Sequence, residues 1–148
     1  MYSEILRYAK TDEEKELLVK EVELLLESIY KTTEENFDNV LKTKVRSGVA
    51  VAIRDALNSN KIEIGKLLTD LQSEIKKLVP MRITLAIEPT EEMLEEMYNY
   101  ITKHVTGIYL VVSVNKALIG GMTIEFKGKF YDFSLKEKLG KMNIMISK

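Results

Sequence analysis

Between Val114 and Leu139 the chain sets Leu118-Ile119-Gly120-Gly121 at a fixed distance ahead of Asp132-Phe133-Ser134-Leu135 and Leu139, and no other stretch narrows the possible folds as much. Ile108-Tyr109-Leu110-Val111-Val112-Ser113-Val114 before it is β-branched and apolar, the composition of a strand with little exposed face. Gly120-Gly121 supplies backbone freedom where the chain bends or approaches another backbone. Met122 to Lys127 and Lys129 to Phe133 read as two short strands joined at Gly128, a residue able to take the positive φ of a tight hairpin. Ser134 stands three residues before Glu137, the capping-box spacing in which each side chain satisfies an exposed amide at a helix start. Strand, Gly-Gly joint, hairpin and capped helix follow in that order, and the chemistry of the stretch is architectural.

The same residues resemble the carboxy-terminal signature of the delta subunit of F-type ATP synthases, whose mitochondrial equivalent is the oligomycin-sensitivity-conferring protein. That signature has a Val-Asp-x-x-Leu-Ile-Gly-Gly-like block, an alternating strand, a Gly-containing turn and Asp-x-Ser-Val/Ile-x-x-x-Leu. Val114, Leu118, Ile119, Gly120, Gly121, Ile124, Asp132, Ser134 and Leu139 fall on it without a gap between Gly121 and Ser134. Asn115 replaces the usual acid, and the turn reads Lys127-Gly128-Lys129 with its Gly displaced by one; both departures bear on turn type and local charge. Upstream, Arg82-Ile83-Thr84-Leu85-Ala86-Ile87, an acidic helix and Gly107 match the family's strand, helix and strand, so the resemblance covers residues 81–142.

The amino-terminal half has a different period. From Thr11 to Tyr30, Leu18, Val22, Leu25 and Ile29 recur at helical spacing, with Asp12, Glu13 and Glu14 where the helix dipole favours anions. Thr33 is placed to cap a second helix whose stripe runs Phe37, Val40, Leu41, Val45, Val49, Ala52, Ile53, Ala56 and Leu57, about 25 residues or roughly 37 Å long. A third helix is expected from Lys61 to Leu78, carrying Ile64, Leu67, Leu68, Leu71, Ile75 and Leu78, with Pro80 as its stop. Three amphipathic helices with short connections make a hairpin or a small bundle. The fold class expected is therefore α+β: a helical domain over residues 1–80, then a small β-α-β-β-α domain over 81–148.

Charge and composition exclude several function classes. The chain has 22 basic and 23 acidic residues, 13 and 15 of them up to Pro80 and hence 9 and 8 beyond it, so neither half offers a field for bulk nucleic-acid or anionic-membrane binding. There is no Cys, which removes disulfides, thiolate metal sites and cysteine catalysis. Apolar runs such as Leu24-Leu25-Leu26 fall far short of the roughly 20 residues that span a bilayer. Neither a signal-peptide core nor an Arg/Ser-rich transit segment follows Met1-Tyr2-Ser3-Glu4, and membrane association is expected through a partner.

Each residue that could carry chemistry also has a structural role available. His104, the single histidine, falls near the end of the expected Glu91–Val105 helix, where a cation suits the dipole, and has no second His or Cys with which to hold a metal. Glu91, Glu92, Glu95 and Glu96 read as dipole partners on a solvated face, and Met93 and Met97 as core beside Leu94 and Ile101. Gly120-Gly121 lacks the Lys-Ser/Thr of a phosphate loop. Asp132 and Ser134 lack a histidine within the motif, which favours turn bonding and capping over nucleophilic catalysis. No cofactor and no catalytic or metal site is expected.

The resemblance implies a non-catalytic stator: a peripheral-stalk subunit at the cytoplasmic face of a bacterial inner membrane, linking the catalytic head to the membrane-anchored b subunits so that rotor torque drives nucleotide chemistry. In the family the carboxy-terminal region meets the b-subunit helices, which directs attention to Leu118, Ile119, Met122, Leu135 and Leu139, with Gly120, Gly121, Asp132 and Ser134 shaping that surface. The family's amino-terminal domain is a six-helix bundle that holds the amino-terminal helices of the head's alpha subunits; this half is shorter, with three or four helices expected. Its Arg7-Tyr8-Ala9-Lys10 is like the family's start, but Thr11-Asp12-Glu13-Glu14 follows in place of apolar residues. Two other readings compete. Lys127 to Phe133 is faintly like the aromatic-laced strand of an RNA-recognition sheet, although Lys129 and Phe130 stand where that motif wants an aromatic and a small residue. A helical adaptor with an appended α+β module would also fit the first half.

Overall fold

The computed structural model describes residues 2–30, 35–118 and 120–132, and the chain divides into two compact units, residues 1–78 and 79–148. The first is helical: α1 (Ser3–Leu6), α2 (Asp12–Tyr30), α3 (Phe37–Thr43), α4 (Ser47–Asn60) and α5 (Ile64–Lys76). Thr11 starts α2, its hydroxyl accepting the Glu14 N–H at 3.2 Å, and three acids follow in the first turn. Leu18, Val22 and Leu25 point from α2 into a core completed by Leu41, Ile53, Leu67, Leu68 and Leu71, all with no accessible surface. Each such side chain contributes roughly 1.5–3 kcal/mol through the surface it removes from water. Ile5 and Ala9 of the amino-terminal segment join the same core.

The expected single helix from Thr33 to Leu57 is two helices, α3 and α4, and the cause lies outside its own sequence. Arg46 is extended, φ −53° and ψ 139°, and its backbone N–H donates to the Glu21 carboxylate at 2.7 Å in place of a carbonyl one turn earlier. The Arg46 guanidinium binds the same carboxylate, Nε at 3.1 Å and Nη2 at 2.8 Å. Glu21 is 3% exposed, so a charged residue of α2 sits in the bundle with its charge matched. Asn36 caps α3, its side chain accepting the Asn39 N–H at 2.8 Å; Thr33 lies outside the described residues. The third helix is shorter than Lys61–Leu78, because Lys61 takes a left-handed conformation, φ 49°, that closes α4.

The second unit contains β1 (Val79–Leu85), α6 (Glu91–Thr102), β2 (Ile108–Val114), β3 (Met122–Phe126) and β4 (Lys129–Asp132). These four strands form one sheet in the order β2-β1-β3-β4, with β1 parallel to β2 and antiparallel to β3. Pro80 lies within β1 and is not a stop beyond the preceding helix. Val79 donates to Gly107 O at 2.9 Å, so alternation turns the Pro80 nitrogen toward β3, whose pairing begins only at Arg82. Met81, Ile83 and Leu85 alternate onto the buried face with Ile108 and Leu110 of β2, covered by Tyr98 of α6. Thr90 caps that helix by accepting the Met93 N–H at 3.1 Å. The hairpin turn uses Lys127, φ 51°, and Gly128, φ 79°, the two positive φ values of a two-residue connection that matches strand twist. The helix expected after Ser134 lies outside the described residues.

Candidate functional site

The signature residues gather at one end of the sheet. β1 ends at Leu85 opposite Val114 of β2, Leu85 also pairs with Met122 where β3 begins, and Thr84, Thr123 and Asp132 form the next row. The Gly-Gly joint, Met122 and Asp132 therefore stand side by side although a whole hairpin separates them in sequence. Asn115 anchors the approach: its N–H donates to Leu85 O at 2.8 Å, its side-chain oxygen accepts the Ala117 N–H at 3.0 Å, and its carbonyl accepts the Leu118 N–H at 3.2 Å. An amide oxygen serves such a turn as well as a carboxylate, which accounts for Asn at a position where the family has an acid. Gly120 and Gly121 follow with φ of 101° and 76°, a region a β-branched residue enters only under strain. Leu118 is half-buried, and Met122 packs on the core of the sheet. Ile119, Ser134, Leu135 and Leu139 lie outside the described residues.

His104 does not approach this cluster. It follows α6 on the way into β2, stacked edge-on against Tyr100 with ring centroids 5.3 Å apart, whereas Asp132 lies on the opposite edge strand, level with the far end of β2. Glu91 and Glu92 occupy the first turn of α6, and Glu91, Glu92, Glu95 and Glu96 are all exposed. The RNA-recognition comparison places its aromatics poorly: Phe130 shares its row with Arg82 and Glu125 on the edge strand β4, and the central strand offers Arg82 and Thr84 there. A stacking platform wants its aromatics on neighbouring central strands.

A second surface, on the helical unit, was not visible as such in the sequence. A groove of about 340 Å³ runs between the α1 segment and α4, walled by Glu4 and Tyr8 on one side and floored by Gly48, Val51, Ala52, Asp55, Ala56 and Ser59 on the other. Those α4 positions recur every three to four residues, one stripe of the helix, and are small where a floor is needed. Val51 is 56% exposed. A larger hollow, about 470 Å³, opens among α3, α4 and the start of α5, but larger side chains, Phe37, Leu41, Leu57 and Ile64, line it. The small residues at 48, 52 and 56 carried the signal, yet Ala52 and Ala56 read equally well as members of the core stripe.

The α1 segment is tied down at both ends. Tyr2 Oη donates to Asp70 Oδ2 of α5 at 3.1 Å, and Lys66 Nζ reaches the same oxygen at 3.1 Å. The Lys66 ammonium, and secondarily the Tyr2 hydroxyl, hold the Asp70 carboxyl below its ordinary range against a smaller opposing effect of desolvation. Burial first, then the bond to Asp70, pushes the Tyr2 phenol up. At the other end the Tyr8 ring lies over Gly48, where a Cβ would stand 2.5 Å from Tyr8 Oη, and the Arg46 guanidinium sits 6.0 Å from the ring centroid. Among the described residues no helix is long and apolar enough to cross a membrane.

Comparison with known proteins adds one match. A family model described as the ATP synthase delta (OSCP) subunit matches residues 2–146, which extends the likeness through the helical half and beyond the 81–142 stretch that the sequence motifs cover. No curated protein matches.

Proposed function

The chain belongs to the ATP synthase delta (OSCP) subunit family, which makes it a non-catalytic, membrane-associated peripheral-stalk subunit of that complex, and from this premise we propose that it serves a bacterial enzyme as the link between the catalytic head and the b subunits. The observation that carries the head contact is the α1–α4 groove. Its floor of Ala52 and Ala56, beside the Tyr8 ring that covers Gly48, lets another helix backbone come close, and Val51 offers that helix an apolar contact. We assign the groove to an amino-terminal helix of an alpha subunit. The b contact belongs at the end of the sheet, with Leu118 and Met122 as apolar contacts and Gly120, Gly121 and Asp132 as the residues that shape it. Ile119, Ser134, Leu135 and Leu139 complete this assignment by their place in the motif. Packed helices on one unit and a packed sheet on the other suit a part that bears load, since close-packed interiors compress little.

The test is a tagged pull-down from gently solubilised native membranes, with the retained proteins identified by mass spectrometry before and after a high-salt wash. Recovery of both alpha and b subunits is the expected result. Replacing Gly120 and Gly121 together with Val should release b and spare alpha, because two left-handed positions would be forced into strain. A double variant that retains b at unchanged affinity removes the joint from the b contact. Loss of both subunits from the wild-type capture, with salt-sensitive RNA in their place, would overturn the stator reading.

A further inference from the structure

We propose that Glu21, which does not line the groove, is a positioning residue for it, setting where Tyr8 stands through Arg46; this rests on the groove being the docking surface for a helix. The chain of contacts is short and each link is polar or aromatic. Glu21 is buried and fixes Arg46 at three points, its backbone N–H, Nε and Nη2, so the guanidinium has one orientation. Glu14 lies 3.9 Å from Arg46 Nη1 on another side and is itself bridged by Lys10 at 3.4 Å, which closes off alternative swings. The fixed guanidinium presents its charge to the Tyr8 ring, and Tyr8 is the bulkiest wall of the groove, pressed against Gly48 on its floor. Gly48 thus has a reason to be glycine that concerns side-chain approach, since any Cβ would displace the ring. The same carboxylate that separates α3 from α4 therefore also sets one wall of a surface on α4. A helix docking there meets a wall whose position is fixed in advance, and preorganisation of that kind lowers the ordering cost of binding.

The measurement compares the full chain with Glu21→Gln/Arg46→Met and with Tyr8→Leu. The double variant keeps an amide oxygen for the Arg46 backbone N–H and replaces an ion pair by neutral groups of similar volume, a change that folded proteins commonly tolerate. Two readouts are taken: nuclear Overhauser contacts between the Tyr8 ring and Gly48, and the affinity of a labelled peptide carrying the amino-terminal helix of the cognate alpha subunit. The double variant should lose the Tyr8–Gly48 contacts and bind the peptide roughly tenfold more weakly while its melting temperature stays close to wild type; a purely structural role would not separate those quantities. Tyr8→Leu, with the ion pair intact, should show a similar loss of affinity. The proposal is overturned if the double variant keeps the ring contacts, if it loses them with affinity unchanged, or if Tyr8→Leu binds like wild type. A wild-type chain that fails to bind the peptide removes the assignment of the groove to the alpha subunit, and the ring contacts in the double variant still decide whether Glu21 positions Tyr8.

Discussion

Removing the two partners of the Glu21–Arg46 pair should not cost the same. Arg46 has access to water, with 28% of its side chain exposed, whereas the Glu21 side chain is 4% exposed. Arg46→Ala leaves a carboxylate in the bundle with only a backbone N–H for company and should cost about 3 kcal/mol, the lower part of the range for a broken buried pair. Glu21→Gln, which leaves Arg46 close to water and still beside Glu14, should cost less; urea denaturation of the two variants checks the order. Asp70, lowered chiefly by Lys66 and to a lesser degree by Tyr2, and Tyr2, raised chiefly by burial and then by Asp70, carry pH dependences of opposite sign. Asp70 has a lowered pKa in the folded chain, so its contribution is present above the ordinary carboxylate range and disappears as pH falls through the folded value. Tyr2 has a raised pKa, so its contribution is present below the ordinary tyrosine value and disappears as pH rises through the folded one. Both groups lie near solvent, and the effect is small. The melting-temperature difference between wild type and Asp70→Asn should be greatest near neutrality and shrink at acid pH; a difference that does not change with pH would mean that the ionised carboxylate, held by Lys66 and Tyr2, does not contribute to stability.

At the scale of elements, caps and periods explain what the sequence made legible. β2 has the bounds its β-branched run implies, Ile108–Val114, and α6 begins at Glu91 because Thr90 offers its hydroxyl to Met93. Thr90→Ala should destabilise the second unit by about 1 kcal/mol, measurable by chemical denaturation, and Thr90→Ser should restore most of it. The break between α3 and α4 was not legible, because its cause is a carboxylate 25 residues away in sequence. Leu41, Val45, Val49, Ile53 and Leu57 keep a helical interval straight through the break, and local propensity has no means of reporting a distant acceptor for one N–H. Half of the sheet-end cluster was legible for the opposite reason: two adjacent glycines and an Asn in a turn reveal themselves locally, while their meeting with Asp132 follows only from strand register. The groove was illegible because a small residue facing a neighbour and a small residue facing a void have the same letter.

At the scale of the molecule, the two hydrophobic clusters of the described residues share no member: one runs from Ile5 to Ile75 and the other from Met81 to Leu110. Residues 1–78 and 79–148, expressed separately, should each fold and unfold cooperatively, followed by circular dichroism; a fragment without a cooperative transition would show that its unit depends on the rest of the chain. Under the proposed assignment of contacts, the helical unit could change its docking surface while the sheet keeps its own. That freedom has a limit written into α4. The groove exists because residues 52 and 56 stop short, so a search for a more robust protein would be drawn to fill it, and Ala52→Leu would satisfy such a search by covering apolar surface. If the groove takes a helix as proposed, durability and assembly make opposite demands on α4: the first is served by filling the stripe, the second by leaving it open.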